Sequence, residues 1–228
     1  MTKKGLGVIL ETKEIEIKES VYERNEEIAK ELNNELTSEG IFCVNVMGAP
    51  GVGKTSALYT MIGMLDGDAS VIEGDIESEI DTLKLRKLGI NAYQINTNGA
   101  CHLDSPVVKD AIKTFAPPSG YLFIENIGNL VCPAEFLIGE HIKMLISTVT
   151  EGSDKPYKYP LAFEKADIIL INKADIEKYV EFDRDYFTKG VKALNKNVPV
   201  FFVSSKTGEG FEEVALWIKT KRKELIGK

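Results

Sequence analysis

Short apolar runs alternate with amphipathic stretches along most of the chain. The first clear run is Ile41-Phe-Cys-Val-Asn-Val-Met47, and glycines and a helical stretch over 54–65 follow it directly. Six further runs predict strands at 70–73, 91–95, 121–125, 144–149, 167–172 and 199–203. Helical periodicity predicts helices at 76–88, 105–115, 183–194 and 209–225. Because the strands are apolar throughout rather than at alternate positions, we expect an α/β fold with a mostly parallel central sheet covered by helices on both faces.

The stretch before the first strand predicts an amphipathic helix over 20–39. Ser20 and Glu23 have the spacing of a capping box, and Gly40 is a suitable stop. The apolar stripe of this helix consists of Val21, Ile28, Leu32 and Leu36. Residues 14–18 alternate with a period of two, which leaves strand and helix both open. No linker or change in composition divides the chain, so we expect one domain over 1–228, with 1–39 as a helical extension packed on it.

The composition narrows the possible partners and locations. The 228 residues include 28 basic and 35 acidic side chains, a net charge of −7, which argues against nucleic acid or an anionic membrane as a partner. No apolar run approaches the ~18 residues that a membrane span needs. The odd, sparse set of three cysteines does not make a disulfide framework, which favours a reducing, cytoplasmic location. Cys43 is expected in the core, and the isolated His141 at the surface or in a structural role.

A phosphate-binding loop is predicted between the first strand and the helix after it. The segment Gly48-Ala-Pro-Gly-Val-Gly-Lys-Thr55 has the spacing G-x-x-x-x-G-K-[ST], and its strand–loop–helix context disfavours a simple glycine-rich turn. The glycines allow successive N–H groups to face an anion, and the next helix offers its positive end. Lys54 is expected to reach the β- and γ-phosphates, and the Thr55 hydroxyl to bind Mg²⁺. The other expected nucleotide-binding residues of this segment are Gly48, Gly51, Val52, Gly53 and Ser56.

A later segment indicates that the base is guanine. Asn172-Lys-Ala-Asp175 lies at the end of the strand predicted at 167–172 and is similar to the N-K-x-D motif of GTPases. Asp175 can accept both the N1–H and the N2–H₂ group of guanine, whereas adenine would leave this carboxylate unpaired, at a cost of about 1–3 kcal/mol. Asn172 is expected to brace the loop and approach N7 or O6, with the stem of Lys173 along the ring.

A second segment supports the same base. Ser204-Ser-Lys206 follows the last predicted strand and is similar to the S-A-K loop, in which the Ser205 N–H would meet guanine O6. Taken singly, each segment could be a polar surface loop, but their order and their positions at strand ends favour a guanine site. We therefore expect GTP and GDP, rather than ATP, as the ligands.

Two acidic residues are candidates for the magnesium side of the site. Asp75 follows the strand predicted at 70–73, and Glu125 ends a later strand. Glu125 and Gly128 have the spacing E-x-x-G, where many GTPases have D-x-x-G, and the Gly128 N–H is expected to face the γ-phosphate. Either acid could instead cap a helix. We assign catalysis to Lys54, Asp75 and Glu125, and we expect slow hydrolysis because no arginine or glutamine occupies a convincing position for activating the water.

A third group of residues has the chemistry of a soft-metal site. Cys101 and His102 precede the helix predicted at 105–115, whose positive end is expected to lower the thiol pKa. Cys132 lies on the loop after Glu125, and thiolate with imidazole suits Zn²⁺ or Ni²⁺. The spacing alone is a weak signal, since the two cysteines lie 31 positions apart, and partly buried structural cysteines are the alternative. Three ligands are one short of a closed tetrahedral site, so water or a second chain would complete it.

Together these segments resemble the HypB family, the GTPases that assist nickel insertion during the maturation of nickel–iron hydrogenases. The resemblance runs from about Gly40 to Phe211. Its most specific parts are CHLD at 101–104 and ENIGNLVCP at 125–133, which ordinary GTPases lack. The other matching segments are Gly48–Thr55, Glu73-Gly-Asp75, Thr150-Glu-Gly152 and Asn172-Lys-Ala-Asp175.

The resemblance implies a P-loop fold of the class of GTPases that form nucleotide-dependent homodimers. It implies that Cys101, His102 and Cys132 bind nickel or zinc at the dimer interface, and that GTP favours the dimer. The partners it implies are a nickel chaperone of the HypA type and the precursor of the hydrogenase large subunit. Some members carry an amino-terminal cysteine motif or a histidine-rich tract, and neither occurs in this sequence, so nickel storage is not expected.

The leading hypothesis is therefore a slow GTPase that couples its nucleotide state to nickel delivery through the loop shared by Glu125, Gly128 and Cys132. One alternative is a GTPase for another metallocentre, of the UreG or cobalamin-enzyme type, which the CHLD segment disfavours. A second is a GTP-regulated binding scaffold without metal, which metal analysis of the protein would separate from the first. A third, a small-molecule kinase on the same loop, is disfavoured by the guanine motifs.

Overall fold

The computed structural model describes residues 7–75, 80–97 and 99–227, and the side chains of these residues except 7–20, 75, 80 and 81. The described residues form seven strands. They are β1 (Ile41–Met47), β2 (Ala69–Asp75), β3 (Asn91–Asn96), β4 (Gly120–Glu125), β5 (Ile142–Thr148), β6 (Ile168–Asn172) and β7 (Val200–Phe202). These strands make one sheet in the order β3-β2-β4-β1-β5-β6-β7, and all six neighbouring pairs are parallel.

Helices connect the strands and cover both faces of the sheet. The described α-helices are α1 (Gly7–Glu39), α2 (Lys54–Ile62), α3 (Ile80–Lys87), α4 (Ser105–Phe115), α5 (Cys132–Glu135), α6 (Lys155–Lys158), α7 (Pro160–Lys165), α8 (Arg184–Leu194) and α9 (Phe211–Ile226). Two 3₁₀ helices lie at Val149–Glu151 and Ala174–Tyr179. None of the helices in this part of the chain combines the length and the apolar character required to cross a lipid bilayer.

The predicted fold class is confirmed. On one face of β1 and β4, Phe42, Val44 and Phe123 pack against α2 and α9 in one apolar cluster. On the opposite face the apolar residues form two clusters, one under α1 and α4 and the other under α7 and α8. Full burial of each large apolar side chain contributes about 1.5–3 kcal/mol, so these layers supply most of the driving force for folding. The arrangement is a P-loop fold with a parallel sheet between two layers of helices.

Most predicted elements agree with the structure, and α4 has the predicted bounds. The first helix does not agree, because α1 begins at Gly7 and passes through Ser20 without a break. The capping box at Ser20 and Glu23 is therefore wrong, and residues 14–18 are helical. The strand predicted at 144–149 begins two residues earlier, at Ile142, and ends at Thr148. The helix predicted at 76–88 is seen at Ile80–Lys87, and residues 76–79 lie outside the described ranges.

Helix α1 ends at Glu39, directly before Gly40, and packs on the start of α4. Gly40 has a φ of 74°, the left-handed conformation that ends many helices. Leu32 and Leu36 are buried, whereas Val21 of the predicted stripe is 55% exposed. Near the middle of α1, the Asn25 carbonyl accepts from the Ser105 hydroxyl at 2.7 Å, and its Oδ1 accepts from the Ser105 N–H at 2.9 Å. These bonds attach α1 to the first turn of α4.

Candidate functional site

The phosphate loop leaves the carboxyl end of β1 and leads into α2. Gly51 and Gly53 have φ values of 76° and 89°, which only glycine adopts without strain. A β-carbon on Gly48 would lie 2.5 Å from the Ile146 carbonyl oxygen, and one on Gly53 would lie 2.8 Å from the amide nitrogen of Asn172. The geometry thus requires glycine at all three positions, and it opens the loop towards an anion at the positive end of α2.

Lys54 and Thr55 begin α2 and face the end of β4. Lys54 Nζ lies 3.4 Å from Gly48 O, 3.5 Å from Ala49 O and 4.0 Å from Glu125 Oε1. The Thr55 hydroxyl donates to the same Glu125 oxygen at 3.1 Å. The structure therefore brings together a lysine, a hydroxyl and a carboxylate at the mouth of the phosphate loop. Oxygen ligands of this kind suit Mg²⁺.

Asp75 ends β2 at the same edge of the sheet. Its side chain lies outside the described residues, so its assignment to magnesium and catalysis stays a prediction. Glu73, two residues earlier, lies in register with Glu125 on the neighbouring strand. The buried Glu73 carboxylate accepts a hydrogen bond from the buried Thr82 hydroxyl of α3. Parallel pairing thus places the predicted acidic residues of β2 and β4 at one edge, beside the phosphate loop.

The Asn172 side chain joins three loops. Its Nδ2 donates to Val52 O of the phosphate loop at 3.0 Å, and its Oδ1 accepts from the N–H of Lys173 at 2.8 Å and of Ser205 at 3.0 Å. Lys173 is held in the left-handed conformation at φ 60°, and its Nζ donates to Gly51 O at 2.8 Å. Asn172 braces the loops in this way, and its contact with the base stays a prediction. The Ser205 N–H, predicted to meet guanine O6, donates to Asn172 in this structure.

Asp175 faces a cavity that has the dimensions of a base-binding pocket. Its Oδ1 accepts from the Ser204 hydroxyl at 2.7 Å, which holds the carboxylate at the cavity wall. The cavity has a volume of about 340 Å³ and is also lined by Ser56, Ile176 and Lys206. A cavity of this size with one fixed carboxylate suits a purine that offers adjacent N–H donors.

The loop after β4 passes directly over the phosphate loop. A β-carbon on Gly128 would lie 2.9 Å from the Pro50 ring, so glycine permits this close approach. The next residue, Asn129, forms an isolated antiparallel bridge with Gly48. The segment that carries Cys132 is therefore in backbone contact with the first glycine of the phosphate loop.

Cys101, His102 and Cys132 come together beside this contact. Their ligand atoms all lie within 4.8 Å of one another, and among the described residues no other three His, Cys, Asp or Glu side chains form such a cluster. Cys101 Sγ lies 3.4 Å from His102 Nδ1 and 3.3 Å from Cys132 Sγ. Cys101 is exposed and the other two are half-buried, so the cluster (the metal cluster below) faces the surface. Two sulfurs and one imidazole nitrogen suit Zn²⁺ or Ni²⁺.

The surroundings of the metal cluster change the protonation of its members. The hydrogen bond that Cys101 donates to Cys132 raises the pKa of the Cys101 thiol, so the prediction of a lowered thiol pKa is wrong. Partial burial lowers the pKa of His102, which favours the neutral ring that binds metals. The Phe136 ring stacks on His102 at 4.0 Å, and Tyr22 of α1 stacks on Phe136 at 5.0 Å. This stacking fixes the plane of the imidazole.

Three polar residues with buried side chains were not predicted: Asn45, Glu140 and Lys143, together called the polar bridge. Asn45 of β1 donates to Glu140 Oε1 at 3.4 Å, and Glu140 pairs with Lys143 Nζ at 3.6 Å. Lys143 Nζ also donates to the carbonyls of Ala134 and Phe136, both at 3.0 Å. Burial lowers the pKa of Lys143, and the Glu140 carboxylate opposes this effect. The bridge ties α5, which begins at Cys132, to the sheet.

The polar bridge lies between the two apolar clusters on this face of the sheet. Leu103, next to His102, belongs to one cluster, and Ala134, just beyond Cys132, belongs to the other. The segment with Cys101 and His102 and the segment with Cys132 therefore pack on different parts of the core. In the sequence, the signal for the polar bridge is a lysine within the apolar run Ile142-Lys-Met-Leu-Ile. It was missed because the strand was expected to begin at Met144, which left Lys143 outside it.

The remaining cysteine and histidine are structural. Cys43 is fully buried, as predicted, and burial raises the pKa of its thiol well above the ordinary value. His141 Nδ1 accepts from the Cys43 N–H at 3.0 Å, and its Nε2 lies 2.9 Å from the hydroxyl of Thr37 on α1. Burial lowers the pKa of His141 to about 4, so this ring is neutral and takes no part in the metal cluster.

A phosphate loop after the central strand, an Asn172-centred brace and a carboxylate in a purine-sized cavity define the class of protein. The chain is a P-loop protein of the GTPase class. A family model described as the CobW/HypB/UreG nucleotide-binding domain matches residues 42–202.

Relatives narrow the class to one family. The hydrogenase maturation factor HypB of Rhizobium leguminosarum bv. viciae is 39% identical over 208 residues, which cover 90% of this chain and 70% of that protein. The hydrogenase/urease maturation factor HypB of Helicobacter hepaticus is 35% identical over 218 residues, 93% of this chain and 90% of that protein. A crystal structure of HypB from Helicobacter pylori in complex with nickel has a TM-score of 0.83 and 33% identity, and the match covers 88% of this chain and 96% of that one. The chain belongs to the HypB family of hydrogenase maturation factors.

These matches confirm the predicted family, and they do not favour the alternatives. The relatives named above carry the HypB name, and the Asn172 brace and the metal cluster occur together in one structure. The roles of individual residues in binding and catalysis stay predictions.

Proposed function

We propose that this protein binds and slowly hydrolyses GTP, and that its nucleotide state controls the delivery of nickel during hydrogenase maturation. The observation that carries the proposal is the position of the metal cluster, which lies beside a backbone contact between its own loop and the phosphate loop. A change at the γ-phosphate can reach Cys132 through a few residues of one loop, without movement of the sheet. Because coupling is reciprocal, nickel would alter nucleotide affinity by the same factor.

The nucleotide side of the proposal assigns a task to each loop. Lys54 would bind the β- and γ-phosphates, and Asp175 would accept from guanine N1–H and N2–H₂. Thr55 and Glu125, joined at 3.1 Å, would hold Mg²⁺, with Asp75 from the neighbouring strand, and this ion would neutralise phosphate charge. Slow turnover is proposed because the sequence places no arginine or glutamine at a convincing water-activating position.

The metal side of the proposal treats nickel as cargo. The HypB of Helicobacter pylori has been crystallised in complex with nickel, and the cluster of two thiols and an imidazole also suits zinc. Three ligands from one chain support completion by a second copy, so we propose a homodimer that GTP favours. A nickel chaperone of the HypA type and the hydrogenase large-subunit precursor are the proposed source and recipient. Unbridged cysteine ligands require a reducing compartment, which fits the cytoplasm.

The test is nickel(II) affinity measured with GDP and with a slowly hydrolysed GTP analogue. We expect the two affinities to differ by about fivefold or more, the lower end of ordinary allosteric coupling. Equal affinities would contradict nucleotide control of delivery.

Cys132→Ser separates a ligand from a structural cysteine. We expect it to weaken nickel binding and to leave GDP affinity unchanged, because Cys132 lies outside the guanine and phosphate loops. Cys43→Ala is the matched control, since Cys43 is buried away from the metal cluster and should leave both affinities unchanged. Loss of GDP affinity in Cys132→Ser would indicate a structural role.

A further inference from the structure

Two asparagine side chains hold the backbone on either side of His102. Asn129 Nδ2 donates to the carbonyl of Cys101 at 3.2 Å. Asn126 Oδ1 accepts from the N–H of Leu103 at 3.2 Å. Both asparagines belong to the loop after β4. This loop therefore hydrogen-bonds to the backbone of Cys101 and of Leu103, the residues on either side of His102. This pair, Asn126 and Asn129, is the asparagine clamp.

Asn126 attaches the clamp to the strand that carries the phosphate loop. The side chain is 1% exposed, and its Nδ2 donates to Asn45 Oδ1 at 3.2 Å. Its backbone N–H donates to Val46 O at 2.9 Å. Its Oδ1 also accepts from the N–H of Ile127 at 2.9 Å. A buried amide whose oxygen and nitrogen both have hydrogen-bond partners is held in one geometry, because a flipped orientation would leave these groups unpaired. The position of Leu103 is therefore fixed with respect to β1.

Asn129 attaches both the Cys101 segment and the Cys132 segment to the phosphate loop. Its backbone bridges Gly48, the first glycine of that loop. Its Nδ2 holds Cys101, and its Oδ1 accepts at 2.9 Å from the N–H of Val131, the residue before Cys132. One side chain thus spans the two segments whose sulfur atoms lie 3.3 Å apart.

We propose that Asn126 and Asn129 are positioning residues: they set the spacing of Cys101, His102 and Cys132, and they transmit movement of the phosphate loop to these ligands. The inference rests on the proposed function, because it assumes that the cluster binds nickel. Residues that orient metal ligands commonly change metal affinity by 10- to 100-fold when they are replaced, although they do not touch the metal. The clamp adds a second property, since it joins the ligands to the nucleotide loop at Gly48.

The experiment compares Asn129→Ala and Asn126→Ser with wild type and with Asn195→Ala. Asn195 is a matched control, because its Nδ2 donates to the carbonyls of Glu164 and Ala166 at 3.0 and 2.9 Å, remote in sequence from the clamp. Nickel(II) affinity and the sulfur-to-nickel charge-transfer absorption are measured without nucleotide, with GDP and with the GTP analogue. GDP affinity is measured in parallel.

We expect both clamp variants to weaken nickel binding without nucleotide about tenfold and to shift the charge-transfer band. We also expect the ratio of nickel affinities in the two nucleotide states to fall towards one. GDP affinity should stay within about twofold of wild type, because the clamp side chains do not reach the guanine loops. Asn195→Ala should match wild type in every measurement.

An Asn129→Ala protein with wild-type nickel affinity, spectrum and nucleotide ratio would overturn the inference. An equal loss of nickel and GDP affinity would overturn it too, since that result means general loss of structure. Asn129 is half-buried, so its variant decides the matter if Asn126→Ser does not fold.

The failure of the proposed function gives a different result. If wild type bound no nickel, that proposal would fall, and the clamp would be judged by a metal-free measurement. A trivalent arsenical that bridges two thiols should then link Cys101 to Cys132 more slowly in Asn129→Ala than in wild type, and equal rates would reject the clamp.

Discussion

At the residue scale, the carboxylate of Asp175 is the part of the proposed guanine site with the most direct consequence for specificity. Asp175→Asn replaces an acceptor with an amide that cannot take both guanine donors. We expect a loss of about 1–3 kcal/mol in GDP affinity, roughly a 5- to 150-fold increase in Kd. Xanthosine diphosphate, which carries a carbonyl where guanine has its amine, should bind the variant better than the wild type. Calorimetric titration of both nucleotides measures the change.

Ser204→Ala is the control for this substitution. The Ser204 hydroxyl donates to Asp175 at 2.7 Å, so its removal frees the carboxylate without changing its charge. We expect a smaller loss of GDP affinity and no gain for the xanthine nucleotide. Unchanged GDP affinity in Asp175→Asn would show that guanine is read elsewhere.

His141 gives the protein a specific sensitivity to acid. Its pKa of about 4 in the folded chain lies below the ordinary value of 6.5 because the ring is buried. Between these values the unfolded chain takes up a proton that the folded chain does not, so stability falls as pH falls from 6.5 towards 4. Allowing for the partial exposure of the ring, we expect His141 to contribute a loss of about 1–2 kcal/mol over this window.

Urea unfolding of wild type and His141→Gln at several pH values measures this contribution. Glutamine cannot take up the proton, so the variant should lose less stability on acidification than the wild type does. Carboxylates contribute equally to both proteins and cancel in the difference. Parallel curves would show that His141 stays neutral in both states or is protonated in both.

At the element scale, the polar bridge determines how firmly α5 is held on the sheet. Lys143→Met removes the donor to the Ala134 and Phe136 carbonyls and leaves the Glu140 carboxylate buried without its cation. We expect a decrease of about 3–5 kcal/mol in the free energy of unfolding. The double variant Lys143→Met/Glu140→Gln removes the uncompensated charge and should recover a large part of this loss. Urea denaturation measures both, and a double variant no more stable than the single one would contradict the pairing.

Regular elements could be predicted from sequence because their signals are local. Helix α4 has the predicted bounds, since Asp104 accepts from the Val107 N–H at its start and the apolar period ends at Phe115. The start of α1 was missed because Ser20 lies within a helix that continues upstream, where the preceding turn satisfies the N–H groups that a cap would serve. Helices α6 and α7 contain four and six residues, too few to show a period.

The functional residues likewise divide into those with a local sequence signal and those without one. The phosphate and guanine loops have fixed spacings, so the motifs located them, whereas the proximity of Cys101 and Cys132 depends on the packing of two loops 31 positions apart. Asn45, Glu140 and Lys143 act through one another across three segments, and no one of them has a motif. Their burial and their partners are visible only in the folded chain.

At the scale of the whole molecule, the exposed metal cluster predicts the mode of assembly. Val131 directly precedes Cys132 and is 49% exposed, and Val107, in the first turn of α4, is 42% exposed. A second copy related by twofold symmetry could cover these side chains and complete the metal coordination. We expect nickel with the GTP analogue to lower the dimer dissociation constant at least about fivefold relative to nickel with GDP. Sedimentation equilibrium measures this constant, and Cys101→Ser should abolish the nickel-dependent part. A dimer dissociation constant that changes with neither nickel nor nucleotide would contradict the proposal.

The Asn172 brace has a consequence for the kinetics of the nucleotide cycle. Because one amide already links the phosphate loop, the Lys173 turn and the Ser205 turn, these loops lose little configurational freedom when a nucleotide arrives. Binding to such a rigid receptor proceeds at similar rates for related nucleotides, and discrimination is expressed in how long each one stays. The residence time of GDP, rather than the rate of its capture, would then determine how often the protein can repeat its cycle.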